Sequence, residues 1–424
     1  MKFKLNNNNI EKTLFGNVFS QKEFSNVLFY DYDGTLLYSY TKKDFLNLSS
    51  LPVTPNRTNE NLTCDGWNWE LENIKSQLNT VGGVVNVGAT YHTTDNKTHI
   101  TCKPTIKYPQ AKICLKPTVA NAVTIDWGDG ATDIWASASQ ETKSHTYNNV
   151  IDSSVYDITI SCSSGTYSFE TYITGANSNK YFVYTDIKLS NSVTKIGDYC
   201  FHYCYYLQSI TIPMSITSLG QYCFQNCCLL KSLNIPNSVT SMASYCFYFL
   251  YSLHILSIPN ITNAFGTSFL HGCGSLQFVT IPNGVEVIGN SCFSNCGSLL
   301  LAILPNTVKS LGSNYLYACH ALQFTNIPIG ITSMPTSGDC FWDCYALRSL
   351  VVPENVTVFK GLVSYSNRIE KLYMKPTTPP TLSSSTYIPD NTNLVIYVPR
   401  GTLSAYQSAS NWSSFSSKMF EYDY

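Results

Sequence analysis

SLGQYCFQNCCLLKSLNIPNSVT, Ser218 to Thr240, is a 23-residue string that returns with substitutions through the second half of the chain. A proline closes each copy's apolar run at Pro213, Pro236, Pro259, Pro282, Pro305 and Pro328, and Leu207, Leu230, Leu253, Leu276, Leu299 and Leu322 keep the same interval. A fixed period of this length is the signature of a solenoid, in which one unit cannot bury its apolar edge alone and stacks on its neighbours. Within a unit, Ile210-Thr211-Ile212 and its equivalents alternate as a short strand, and the proline ends it where no further ladder donor is needed. A turn follows, then a stretch such as Gln221 to Asn226 that is predicted to be helical. The seventh unit carries two extra residues in PTSGD and recovers phase at Leu347 and Pro353. The phase extends back to a strand at Ile187/Leu189 and forward to one at Leu372/Met374.

These units resemble the BspA-like leucine-rich repeat family, whose pattern is roughly IPxSVTSIGxxAFxxCxxLxSI, over about residues 186 to 375. The tail LVIYVPRGTLSAYQSASNWSSF resembles the segment that closes such arrays. The resemblance implies a repeat fold used for adhesion. Ahead of it, VTIDWGDGATDIW with SHTY downstream resembles a PKD-type immunoglobulin-like sandwich, and the alternation Tyr156-Asp-Ile158-Thr-Ile160 agrees. Earlier still come a hairpin and a helix whose expected apolar stripe is Trp67, Leu71, Ile74 and Leu78. The expected fold is therefore mainly β with short helices. It divides into a polar arm (1–23), a hairpin-helix module (24–80), an immunoglobulin/PKD-like β-sandwich (81–180), BspA-like repeats (181–375) and a C-terminal cap (376–424).

Composition narrows the function classes. Lys+Arg total 26 against Asp+Glu 27, so no basic surface tracks a phosphate backbone or an anionic membrane. Charged residues are only 12% of the chain, while Tyr 30 and Phe 21 are high, a balance that suits adhesive β surfaces. No apolar run is long enough to cross a bilayer. The start MKFKLNNNNIEKTLFGN lacks an apolar h-region and no hydrophobic anchor follows EYDY, so neither ordinary secretion nor a wall anchor is expected.

VLFYDYDGTLLYSY, Val27 to Tyr40, imitates the catalytic loop of haloacid-dehalogenase-like phosphatases, and Gly128-Asp129-Gly130-Ala131-Thr132-Asp133 satisfies their distal acidic pattern. That chemistry requires parallel strands joined by several helices, and only one helical stripe lies between the two motifs. Asp33-Gly34 between two alternating runs reads instead as a type I′ hairpin. Asp31→Asn is then expected to change little, and no catalytic residue is assigned.

Twelve of the 16 cysteines lie in the repeats, mostly as Cys-Phe-x-x-Cys. Zinc ligation is the functional alternative, but Leu250, Phe269 and Tyr315 take the same slots elsewhere, so a column of buried, reduced thiols is expected. The histidines form no ligand set, and His145 of SHTY is expected to pack in the sandwich. No metal and no cofactor is expected.

The expected role is a non-enzymatic phage virion protein, tail- or fibre-associated, because the order of parts resembles gut phage and prophage tail proteins. Its partners would be other virion proteins through the N-terminal region and a host surface protein or glycan through the repeats. Nucleic acid and membrane insertion are excluded, and homo-oligomerisation is open. A bacterial or protist cell-surface adhesin is the alternative. The expected binding strip is Ile255, Phe278, Leu301, Ile303 and Phe324, apolar residues on the outward face of the middle strands, side by side at ~4.8 Å spacing. The alternative is that another part of this chain, or a neighbouring subunit, covers them.

Overall fold

A computed structural model describes residues 27–81, 83–151, 153–170, 183–260, 265–335, 339–359, 368–388 and 392–423. The arm expected at 1–23 lies outside them, as do residues 336–338 of the expanded seventh unit. The first strands, β1 (Val27–Tyr30) and β2 (Leu36–Tyr40), form an antiparallel hairpin. Its turn is not type I′: of the Asp33-Gly34 pair only Gly34 has positive φ, at 88°. Asp31 N–H donates to Thr35 O and Gly34 N–H to Asp31 O, so the loop closes with one left-handed glycine and a shifted register.

A short helix, α1 (Lys42–Leu46), and a strand, β3 (Leu62–Trp67), precede the helix α2 (Leu71–Thr80) and the strand β4 (Val85–Thr93). Helix α2 buries Ile74 and Leu78, whereas Trp67 ends β3 and is not part of the helical stripe. The sheet order is β2-β1-β4-β3, and β1 runs parallel to β4. Strand β4 was expected inside the sandwich that begins at 81. It instead completes the N-terminal sheet, which moves that boundary past Thr93. The reason is visible in its alternation. Val85, Val87, Ala89 and Tyr91 join the core of the N-terminal unit, while Asn86 and Gly88 present the other face to the repeats.

Seven strands follow: β5 (Thr98–Cys102), β6 (Gln110–Pro117), β7 (Val123–Asp126), β8 (Thr132–Ile134), β9 (Glu141–Thr146), β10 (Tyr156–Cys162) and β11 (Tyr167–Phe169). They form two sheets around Trp127, Trp135 and Tyr147. Both sheets run on into the repeats. Strand β5 pairs with β12 (Tyr184–Lys188), which pairs with β14 (Ser209–Thr211); β11 pairs with β13 (Val193–Ile196), which pairs with β15 (Ser218–Leu219). The two-sheet unit thus closes the N-terminal end of the solenoid, and one apolar core passes through both.

In the solenoid the 23-residue period is the pairing register: β16 (Ser232–Asn234) lies parallel to β17 (Ile255–Ser257) with Ser232 opposite Ile255, and Leu301 lies opposite Phe324. The stretch expected to be helical is a run of turns. Six coils hold two left-handed residues four apart, such as Tyr222 (φ 56°) and Asn226 (φ 61°), and the seventh holds Asp343. This conformation aims N–H groups along the solenoid axis, so Tyr203 N–H donates to Gln225 O and Asn226 N–H to Tyr248 O in the next coil. A regular helix would turn those donors inward on itself and leave the coils joined only by their strands. Past the last repeat, strands Lys371–Met374, Val395–Pro399 and Met419–Tyr422 extend the parallel ladder, and Trp412 is buried beneath, its indole N–H on Pro380 O. No helix among the described residues is long and apolar enough to cross a membrane.

At the seam between the two-sheet unit and the N-terminal unit, His99 lies 3.0 Å from Asp157 and 2.9 Å from Asp95, with Asn61 3.2 Å away. The hydrogen bond with Asp157, ahead of burial in size and opposed by it, raises the imidazole above its ordinary value of 6.5. Folding therefore favours the protonated form. This stabilisation is complete below about pH 6.5 and is lost as pH rises through the raised value. A His99→Gln variant should lose about 0.5–1 kcal/mol relative to the parent at pH 6 and progressively less by pH 8, read by urea denaturation at each pH. A pH-independent difference would contradict the assignment.

Candidate functional site

The outward residues of the repeat strands are the place to begin, because the sequence puts its apolar strip there. The structure sets the N-terminal unit on that strip. The carbonyls of Ile235, Ile258 and Ile281 each precede a proline that ends a strand, and each receives a donor from the unit. Asn68 Nδ2 donates to Ile235 O at 2.8 Å, Trp69 Nε1 to Ile258 O at 2.7 Å and Gln77 Nε2 to Ile281 O at 2.9 Å. Polar residues on the same strands reply. Ser232 Oγ donates to Tyr32 O, Asn234 Nδ2 to Ala89 O, Ser257 Oγ to Asn86 O and Thr280 Oγ1 to Val84 O. Ser232, Asn234, Ser257 and Thr280 are all under 5% exposed. A Cβ on Gly88 would meet Asn234 Cγ at 2.3 Å, so only glycine admits this approach.

The five strip residues take their places accordingly. Leu301 is 5% exposed. Ile255, Phe278, Ile303 and Phe324 are half-buried. Ile255 faces Gly34 and Ile303 faces Gly83, while Phe278 and Leu301 line a narrow crevice with Gln77 and Val81. The strip is therefore not an open surface. The residues that hold the N-terminal unit there, Asn68, Trp69 and Gln77, had no signal in the sequence beyond being polar or aromatic beside a helix.

The Asp-x-Asp-Gly-Thr loop sits within this contact, and both oxygens of its first carboxylate are taken. Asp31 is 0% exposed. Arg57 Nε and Nη2 lie 2.8 and 2.7 Å from Oδ2, and Tyr91 Oη and Tyr32 N donate to Oδ1 at 2.6 and 2.8 Å. Arg57 also pairs with Glu60 at 2.7 Å, and Glu60 accepts from Tyr32 Oη, the largest of the causes that lower its carboxyl. A phosphoryl group would have to displace the arginine and both donors. The distal acids are spent elsewhere, Asp129 on His145 at 2.7 Å and Asp133 on the Trp127 indole at 2.9 Å. His145 stacks on Trp127 at 5.3 Å. Asp31 is thus a buried structural anion, and the expectation that Asp31→Asn changes little is corrected.

Twelve cysteines are buried and four, Cys64, Cys162, Cys200 and Cys228, are half-buried. Burial raises Cys296 and Cys344 to about 12, so few of these thiols ionise at neutral pH. Where it is cysteine, the second slot of a coil can do more than fill space. Cys227, Cys273, Cys296 and Cys319 donate Sγ–H to the carbonyls of Phe201, Phe247, Leu270 and Phe293 in the preceding coil at 3.1–3.3 Å. No three acids, histidines or cysteines converge on a metal-sized site among the described residues. A neutral-pH maleimide reaction on the native protein should modify only Cys64, Cys162 and Cys228, because the Cys200 thiol is desolvated although its residue is partly exposed. The other thirteen should react on denaturation. Rapid native labelling of Cys227 or Cys296 would refute the buried column.

One face that the N-terminal unit leaves open is the turn column. At its left-handed positions the first three coils place Tyr199, Tyr203, Tyr222, Tyr245 and Phe249, with Asn226 the sixth. Later coils use Ser268, Gly272, Ser291, Asn295, Asn314, Ala318 and Asp343. A left-handed residue with a bulky side chain costs about 1–2 kcal/mol where glycine costs little. Tyr222 stacks between Tyr199 at 4.8 Å and Tyr245 at 4.5 Å.

A model for the BspA type leucine rich repeat region matches in 6 copies, over residues 173–299 and 263–385. Among solved structures, a leucine-rich repeat protein from Bacteroides ovatus is 25% identical over 50% of this chain and 53% of its own, with a TM-score of 0.41. The chain thus spans about half the length of that protein. A leucine rich cell surface protein from Faecalibacterium prausnitzii is 20% identical over 60% of this chain and 86% of its own, with a TM-score of 0.31. The pneumococcal vaccine antigen PcpA is 14% identical over 56% and 65%, with a TM-score of 0.37. No curated protein matches the chain. With its repeat copies matched across residues 173–385, half of its length, the chain belongs to the BspA-type leucine-rich repeat family.

Proposed function

We infer that this protein is a non-enzymatic binding protein that works at a cell surface and adheres through its repeat domain. One observation carries the reading: the N-terminal unit and the sheet face are spent on each other, which leaves the turn column of the repeats, rich in tyrosine, as the face turned to a partner. Family membership supports an adhesive role over catalysis, and the filled Asp31 carboxylate supports the same exclusion for phosphate chemistry. The virion role rests only on the order of the chain's parts. The family match favours the surface adhesin, which is the reading adopted. The two-sheet unit carries the Trp127-Gly-Asp-Gly turn and the His145-Thr-Tyr147 strand end, and we include its immunoglobulin-like, PKD-type identity in the proposal. Ile255, Phe278, Leu301 and Ile303 enter it as the seat of the N-terminal unit, with Phe324 half-buried on the neighbouring strand, and the receptor face lies elsewhere. The test is display of the full chain on a non-adherent bacterium. Retention on epithelial monolayers above that of the undecorated strain is expected, and equal retention would overturn the reading.

A further inference from the structure

Tyrosine at the left-handed positions is confined to coils 1 to 3. Residues 199–206, 221–230 and 244–253 contain no Asp, Glu, Lys or Arg. His202, within the first of these stretches, is lowered by burial and stays neutral at physiological pH. The face nevertheless shows its aromatic groups to water, with Tyr206 53% and Tyr251 49% exposed. Tyr199, Tyr222 and Tyr245 stack at 4.5–4.8 Å with ring planes within 20° of parallel. Their faces cover one another, so their edges and phenolic groups repeat along the axis at the coil interval. Phe249 and Tyr251 stack beside them at 5.3 Å.

Backbone geometry alone does not call for these rings, because the same left-handed positions hold Ser, Gly, Asn, Ala and Asp in the later coils. Aromatic residues kept where they strain the backbone point to a use of that surface. The chemistry limits what could use it. The ring ladder carries no charge of its own and has Asp198 beside it, so it has no ion pair to offer an anionic partner. Tyrosine offers a rigid apolar ring and a hydroxyl at low conformational cost, and so meets C–H faces and hydroxyl groups together. A row of one side chain at one interval reads a partner that itself repeats. We propose that the turn column of coils 1 to 3, centred on Tyr199, Tyr222, Tyr245 and Tyr251, is a binding face for a neutral polysaccharide. The proposal deepens the adhesive reading and rests on it for biological context, but its test stands apart.

The experiment is affinity electrophoresis of the full chain through gels containing β-glucan, mannan, galactan or arabinoxylan, with polygalacturonate as the acidic control. Retardation by at least one neutral polymer is expected, with none by polygalacturonate. Tyr222→Asn/Tyr245→Asn keeps residues that accept the left-handed backbone and should weaken retardation at least tenfold while circular dichroism and cooperative unfolding persist. Tyr251→Ser, at an exposed ring outside the ladder, should weaken it severalfold and guards against a folding defect in the double variant. Absence of retardation by every neutral polymer, or equal retardation of parent and both variants, overturns the proposal. Cell retention that depends on these tyrosines but is untouched by the polysaccharides would assign the face to a protein, which also overturns it. If parent-specific retardation is seen without cell retention, the polysaccharide face stands and the surface-adhesin reading fails.

Discussion

Trp69→Ala should cost about 3–5 kcal/mol and release the N-terminal unit from the repeats. The indole is 1% exposed, and its N–H supplies the donor on Ile258 O at 2.7 Å. Truncation removes the largest side chain of the contact and leaves a carbonyl without its donor at a strand end where the following proline has none to offer. Once the contact opens, Leu301 and its half-buried neighbours Ile255 and Ile303 meet water. Binding of a hydrophobic dye should therefore rise at temperatures where the repeats remain folded. Trp69→Phe keeps the ring and loses the donor, and should cost only about 0.5–1.5 kcal/mol. Gly88→Ala should act like Trp69→Ala by a different route, because its methyl group would press into Asn234. A Trp69→Ala chain that melts with the parent and binds no more dye would show that the unit is not held by this contact.

Arg57→Ala should cost about 3 kcal/mol, since it leaves the Asp31 carboxylate buried with no opposing charge. The guanidinium side chain is 27% exposed, so water entering the gap offsets part of the loss and places the value at the lower end of the usual range. Asp31→Asn should cost about 1.5–3 kcal/mol, because one carboxylate oxygen becomes an amide that cannot accept from the donors now aimed at it. Both losses should appear as an early transition of the N-terminal unit in guanidinium chloride, followed by Trp67 and Trp69 fluorescence. Neither variant should alter phosphate-ester turnover. Full retention of stability in Arg57→Ala would mean that the carboxylate is satisfied without it.

How much of this was legible beforehand divides along the chain. The solenoid was written in its period: Leu207 to Leu322 and the six prolines at 23-residue intervals are the coil-to-coil register, since identical units can stack in phase only one way. The buried thiols followed from apolar residues sharing their slots, and the packed His145 from its place in a strand motif. Local pattern misjudged the turn column. Helical spacing of apolar residues at i and i+4 is also produced by two left-handed residues four apart, and nothing local distinguishes them. It misjudged β4 as well, because a strand buried on both faces carries no mark of which sheet it joins.

The amino-acid sequence by itself determined the repeat, its period, its family and the inward apolar ladder, all of which arise from contacts between neighbours in one repeating pattern. Only the tertiary structure decided what covers the sheet face. Asn68, Trp69 and Gln77 meet Ile235, Ile258 and Ile281 across 167 to 204 residues of chain. Such a pairing joins single side chains to backbone carbonyls, and a carbonyl is the same chemical group at every position. The partner's identity therefore leaves no trace in its own residue, and the Asp31 loop, read locally as a catalytic imitation or a simple turn, acquires its arginine partner only when the chain has folded.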